Sequence, residues 1–142
     1  MELGTMPGEM YDKVLPYLGT LCDIIGQQNV IQLYEKGELE LLPISIARGR
    51  SFEKSIILVN EAQNLTEDHV KLLVARCGED TRIFFDGDIK QADSNIFRQK
   101  SGLKLLTKLR FSPDFSDLFS AVRLEQIERS KTAQAAGYLD EL

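Results

Sequence analysis

Tryptophan is absent from this 142-residue chain, histidine occurs once and cysteine twice. A single histidine, His69, cannot supply a histidine-rich metal centre. Cys22 and Cys77 have no Cys-x-x-Cys spacing, so zinc-ribbon and dithiol redox classes drop out, and both cysteines read as reduced core residues on apolar helix stripes. No apolar run approaches the roughly 20 residues that a membrane span requires. The segment Met1 to Gly8 lacks a basic stretch followed by an apolar one, so a cytoplasmic location and no membrane partner are expected. Basic charge is also in deficit: 17 Lys and Arg against 22 Asp and Glu give a net charge of −5. That excludes a nucleic-acid footprint over the whole surface and leaves only a local patch. A Gly-x-x-x-x-Gly-Lys-[Ser/Thr] phosphate-binding loop is missing throughout.

What is present suffices for a packed core, because 43% of the residues are hydrophobic and 27% charged, an ordinary globular balance. The length suits one domain over residues 1–142, without repeats or an interdomain linker. Val14, Leu18, Leu21, Cys22 and Ile25 share one helical face, which Pro16 interrupts and Gly26 ends. Asn29 is expected to cap a short helix carrying Val30, Leu33 and Tyr34 and stopping at Gly37. Glu38 to Leu41 alternates polar and apolar, the pattern of a strand with one wet face. Thr66 is expected to cap a helix with Val70, Leu73, Val74 and Cys77 at i, i+3, i+4 and i+7, closed by Gly78. Ser101 heads a further helix, Phe111 to Phe119 reads as irregular, Ala121 to Ile127 alternates as another strand, and Ser130 opens a last helix.

Two segments carry the chemistry. Ile56 to Val59 and Ile83 to Phe85 are apolar throughout, which fits central strands covered on both sides. Each runs into a polar cluster: Asn60-Glu61-Ala62-Gln63 after the first, Asp86-Gly87-Asp88 and then Gln91 after the second. A strand, a helix and a strand at this spacing form a parallel crossover. The two clusters then meet at the carboxyl ends of adjoining strands, where open α/β sheets bind ligands and P-loop hydrolases hold Mg²⁺, water and phosphate. Glu61 and Asp88 are therefore expected to face one shared crevice.

Gly4 to Gly8, Arg48-Gly49-Arg50, the Val59 to Gln63 cluster, Gly87-Asp88-Ile89-Lys90-Gln91 and Lys100-Ser101-Gly102-Leu103 occur in the order and rough spacing of one known family. From about Gly4 to Arg129 the chain resembles the PhoH-like ATPases, phosphate-starvation-associated P-loop proteins related to superfamily-one helicases. The resemblance implies an α/β, three-layer P-loop NTPase-like fold: a mostly parallel sheet of about four or five strands flanked by helices, incomplete at the N-terminal side. It also implies that the chain corresponds to the carboxyl-terminal two-thirds of such a domain, whose Walker A loop lies upstream.

The roles follow residue by residue. Glu61 stands at the Walker B glutamate, which polarises the attacking water. Asn60 replaces the family's aspartate and would reach Mg²⁺ through a bound water, without charge and with weaker hold. Gln63 and Gln91 match amides that contact nucleotide or couple it to nucleic acid, and Gly87 with Asp88 matches the turn that approaches a phosphate. Arg129 resembles the γ-phosphate sensor that stabilises developing charge. Arg48, Arg50 and Lys100 match contacts to nucleic acid or to a neighbouring subunit. The implied cofactors are ATP and Mg²⁺, both dependent on a phosphate-binding loop from elsewhere. The implied partners are RNA or DNA, and either a second copy or a P-loop-bearing chain, because a lost strand leaves an open sheet edge. The alternative is a non-catalytic binding or regulatory module that keeps the fold. A two-metal nuclease built on Asp86, Asp88 and Asp93 has no supporting second cluster.

Overall fold

The computed structural model describes residues 18–88, 101–125, 128 and 130–142. In chain order the elements are α1 (Gly19–Ile25), α2 (Gln27–Glu35), α3 (Ile44–Ala47), β1 (Ile56–Val59), a 3-10 turn at Ala62–Asn64, α4 (Glu67–Ala75), β2 (Arg82–Phe85), α5 (Gly102–Thr107), 3-10 turns at Lys108–Phe111 and Ser116–Leu118, and α6 (Lys131–Asp140). β1 and β2 pair with each other. Arg82 N donates to Ser55 O at 3.0 Å and Asp86 N to Val59 O at 2.9 Å. The sequence offset is the same at both bonds, so the strands run parallel. The class is α/β with a parallel sheet flanked by helices, as a partial P-loop NTPase-like fold requires.

The number of strands differs from expectation: two form among the described residues, where four or five are implied. Glu38 to Leu41 is not a strand. Leu33 O accepts from Glu38 N at 2.9 Å and from Leu39 N at 3.1 Å, so the amides a ladder would need are spent ending α2. Residues 121–125 are not a strand either. Val122 and Leu124 there are 84% and 88% exposed; alternation with no edge to pair with among the described residues does not make a strand. Residues 126, 127 and 129 lie outside the described set.

By its contacts the chain divides into two compact units, Met1–Ile57 with Leu72–Ile83, and Leu58–Lys71 with Phe84–Leu142. In the first, α1 and α2 pack on each other, and Val30, Ala47 and Leu73 are buried. Gly26 joins the two helices at φ 88°, a backbone state that suits a residue without Cβ. Asn29 does not cap α2; it lies inside it, and its Nδ2 donates to Ile25 O at 2.6 Å, filling a carbonyl left open at the end of α1. Phe52 ties the rest of this unit together. Its N donates to Arg76 O at 2.8 Å, and its O accepts from Gly78 N at 2.6 Å and Thr81 Oγ1 at 2.9 Å.

The second unit is built around Val59, Ala62, Leu65, Val70 and Leu106, all buried. Thr66 starts α4 through a reciprocal cap: Thr66 Oγ1 accepts from His69 N at 3.2 Å and His69 Nδ1 accepts from Thr66 N at 3.3 Å. Histidine takes the place that glutamate or glutamine holds in the usual capping box. His69 is thereby given a structural task. Ser101, 1% exposed, caps α5 by accepting from Leu103 N at 3.2 Å, and Leu65 O accepts from Gly102 N at 3.0 Å. Ser130 caps α6 in the same way, accepting from Ala133 N at 3.1 Å. Neither strand is covered on both faces: on β1, Ile56 and Leu58 are 77% and 64% exposed, and on β2, Phe84 is 52% exposed.

Candidate functional site

Both strand ends turn into the same place. Val59 is the last residue of β1, and Asp86 follows β2. Beyond them Ala62 N donates to Asp86 O at 2.8 Å, which continues the strand pairing into the loops. Glu61, Gln63, Asp86, Gly87 and Asp88 line one open pocket of about 210 Å³ within the second unit. Glu61 precedes the 3-10 turn in the left-handed region at φ 54°, ψ 41°. A glutamate pays roughly 1 kcal/mol for that conformation. The bond of Ala62 to the β2 end and the buried Ala62 and Gln63 behind it hold the strained residue in place. Lys54 and Asp80 also have positive φ, but neither lines the pocket.

Gln63 is the best-anchored side chain of the site. Only 2% exposed, it donates from Nε2 to Glu61 Oε2 in a short hydrogen bond and accepts at Oε1 from Asp88 N at 3.1 Å. Gly87 lies against it: a Cβ at that position would meet Gln63 Oε1 at 2.6 Å and Gln63 N at 2.8 Å. The loop after β2 therefore passes as near to the β1 loop as backbone allows, and only glycine fits.

Three carboxylates, Glu61, Asp86 and Asp88, line the pocket, and among the described residues no basic side chain does. A bare polyphosphate is repelled by such a surface, whereas a cation, or a polyphosphate carrying one, is attracted. Among the described residues no three His, Cys, Asp or Glu converge as a ready-made cage. The volume is below the roughly 300 Å³ of small-molecule pockets.

The remaining expected site residues lie as follows. Asn60 is exposed at the end of β1, next to Glu61, but does not line the pocket. Arg48 and Arg50 are exposed in the first unit. Arg50 is engaged: Nη1 and Nη2 donate to Glu40 at 2.6 and 3.4 Å, and the guanidinium lies 5.3 Å from the Phe52 ring centroid. This fork lowers the pKa of Glu40 and raises that of Arg50, with the side-chain hydrogen bond as the larger cause in both. Gln91, Lys100 and Arg129 lie outside the described residues. Asp86, weighed in the sequence only as part of a two-metal nuclease, joins the pocket lining; its signal was its position as the first polar residue after the apolar run of β2.

Comparison with known proteins agrees with the motif order. The family model for "PhoH-like protein" matches residues 1–137. The chain belongs to the PhoH family. It is 35% identical over 108 residues to the PhoH-like protein of Synechocystis sp., covering 73% of this chain and 33% of that relative. To the PhoH-like protein of Bacillus subtilis it is 34% identical over 96 residues, covering 65% of this chain and 30% of the relative. To Protein PhoH2 of Thermobispora bispora it is 30% identical over 137 residues, 93% of this chain and 30% of the relative. The PhoH-family chain thus spans about a third of the length of the curated relatives it matches.

Proposed function

We propose that this PhoH-family chain forms the Mg²⁺- and water-handling half of an ATP-binding and ATP-hydrolysing domain, linked to RNA or DNA metabolism. One observation carries the reading: Glu61, Asp86, Gly87 and Asp88 surround a single pocket at the carboxyl ends of two parallel strands. Bound Mg²⁺-ATP would supply the electrophilic phosphorus and the leaving group. Glu61, exposed and held by the strained turn, accepts a proton from water at its carboxylate. Asp86 and Asp88 would hold Mg²⁺ through its bound water, and Asn60 beside them would offer an uncharged acceptor. Gly87 allows the backbone to come close to a phosphate oxygen. Gln91 and Arg129 belong to the same proposal as nucleotide and γ-phosphate contacts, and Arg48, Arg50 and Lys100 as contacts to nucleic acid or a neighbouring subunit.

No basic residue lines the pocket among the described residues, which supports a phosphate-binding loop supplied from elsewhere and an isolated chain that is inactive. The apolar Leu58 and Phe84, exposed on the two strands, support association with a second copy or a P-loop-bearing chain. Titration calorimetry with ATP, with and without Mg²⁺, tests the reading. Mg²⁺-dependent binding is expected once a P-loop-bearing chain is added, with turnover abolished by Glu61→Gln. Binding that ignores Mg²⁺, or turnover that survives this substitution, overturns it. The second reading is a non-catalytic regulatory module. It is favoured by Asn60 standing where the family carries a charged residue, and an absence of nucleotide binding under every condition would put it ahead.

A further inference from the structure

Burying an amide is unfavourable unless both of its ends find partners. Gln63 is among the largest fully buried side chains of the described residues, and both ends are committed within the protein. The partners also fix which end is which: the Glu61 carboxylate needs a donor, and the Asp88 N–H needs an acceptor. The Gly87 turn comes near enough that a Cβ there would meet Oε1 at 2.6 Å, so the absence of a side chain at this position is what leaves space for the amide. A side chain in this state is poorly placed to touch a ligand. It is well placed to join an exposed carboxylate on one strand end to the backbone of the other.

We propose that Gln63 is a positioning residue that clamps the Glu61 carboxylate to the Gly87–Asp88 turn, so that a Mg²⁺-bound polyphosphate seated on the turn sets the direction in which Glu61 points. This builds on the reading of Glu61 as the water-activating group, but the clamp itself needs no nucleotide to be observed. The two strand ends then respond as one body. A phosphate that pulls the Asp88 backbone moves Oε1, and Nε2 carries the movement to Glu61.

Amide hydrogen exchange at Asp88, followed by NMR on the full chain without nucleotide, tests the clamp. In Gln63→Leu the Asp88 amide loses its acceptor and is expected to exchange about tenfold faster. Glu61→Ala alters an exposed residue and leaves the core intact, yet it removes the anchor of Nε2 and is expected to raise exchange at Asp88 about threefold. Glu61→Gln, whose amide oxygen still accepts from Nε2, is expected to restore protection to within about twofold of the parent. In the double variant Gln63→Leu, Glu61→Ala should add nothing further, because the two act through one linkage. Exchange at Asp88 that is indifferent to Glu61→Ala, or effects that multiply in the double variant, overturns the clamp. Should Gln63→Leu fail to fold, the Glu61→Ala and Glu61→Gln pair decides by itself. Loss of Mg²⁺-ATP binding with these couplings intact would instead count against the ATPase reading alone.

Discussion

Replacing Gly87 by alanine is the sharpest single perturbation of the site. The added Cβ would lie 2.6 Å from Gln63 Oε1, 2.8 Å from Gln63 N and 3.1 Å from Ala62 N. An oxygen at the tip of a side chain can move aside, but two backbone nitrogens cannot do so without shifting the loop. Ala62 N is already bonded to Asp86 O at 2.8 Å, so that shift strains the pairing of the strand ends. Forcing a methyl into packed surroundings costs about 1 to 3 kcal/mol. Displacing Oε1 from Asp88 N loses a further 0.5 to 1.5 kcal/mol or so. The expected destabilisation is therefore roughly 2 to 4 kcal/mol, and with a urea slope of about 2 kcal/mol per molar the midpoint falls by about 1 to 2 M. Urea unfolding followed by circular dichroism reads this directly, the slope being unchanged. Gly137→Ala in α6 is the control, since nothing lies within 4 Å of a Cβ there and alanine favours a helix by up to about 1 kcal/mol over glycine. Stability should stay level or rise in that variant. A Gly87→Ala protein within about 0.5 kcal/mol of the parent would refute the close approach of the two loops and the geometry built on it.

The other expectations concern the scaffold. Thr66→Ala should cost about 1 kcal/mol, and a double-mutant cycle with His69→Ala should show coupling, because each residue's backbone N–H is satisfied by the other's side chain. Independent, additive losses would contradict the reciprocal cap. The Glu40 and Arg50 side chains are 52% and 41% exposed, so Glu40→Gln should cost less than about 1 kcal/mol at neutral pH and still less in 1 M salt. The pKa of Glu40 is lowered by the Arg50 hydrogen bond, so the pair stabilises the fold above the ordinary carboxylate range and stops doing so as pH falls through the lowered value. Parent and variant stabilities should thus converge in acid, and a gap that widens there would reverse the assignment. Burial raises the pKa of the Cys77 thiol. Iodoacetamide at pH 8 should modify it roughly fivefold more slowly than glutathione, a difference that urea unfolding removes; equal rates in the folded protein would contradict the burial.

Range along the chain decides what could be read before the structure was seen. Caps act over two or three residues, and Thr66, Ser101 and Ser130 start α4, α5 and α6 as their spacing requires. The apolar runs of β1 and β2 needed no partner information, since a continuous run next to a helical period already implies a parallel crossover. Placing Glu61 and Asp88 beside one pocket followed from that pairing alone. Alternation is a weaker signal. In Glu38 to Leu41 it names the face a strand would bury, but it cannot say that Leu33 O has already taken two of the amides. Val122 and Leu124 alternate just as well with no ladder to join among the described residues.

Gln63 shows the same division within one residue. Its place after Glu61 made it a candidate for ligand contact, and an outward or an inward side chain is equally compatible with that string. What turns it inward is a residue 25 positions away, Asp88, whose N–H its Oε1 accepts, reached only because Gly87 lets the second loop close on the first. The direction of a polar side chain at a strand end is thus a property of the loop on the neighbouring strand. In a parallel sheet that loop is always at least one crossover away, so the residues next to the catalytic candidate are the ones whose roles sequence order conceals most completely.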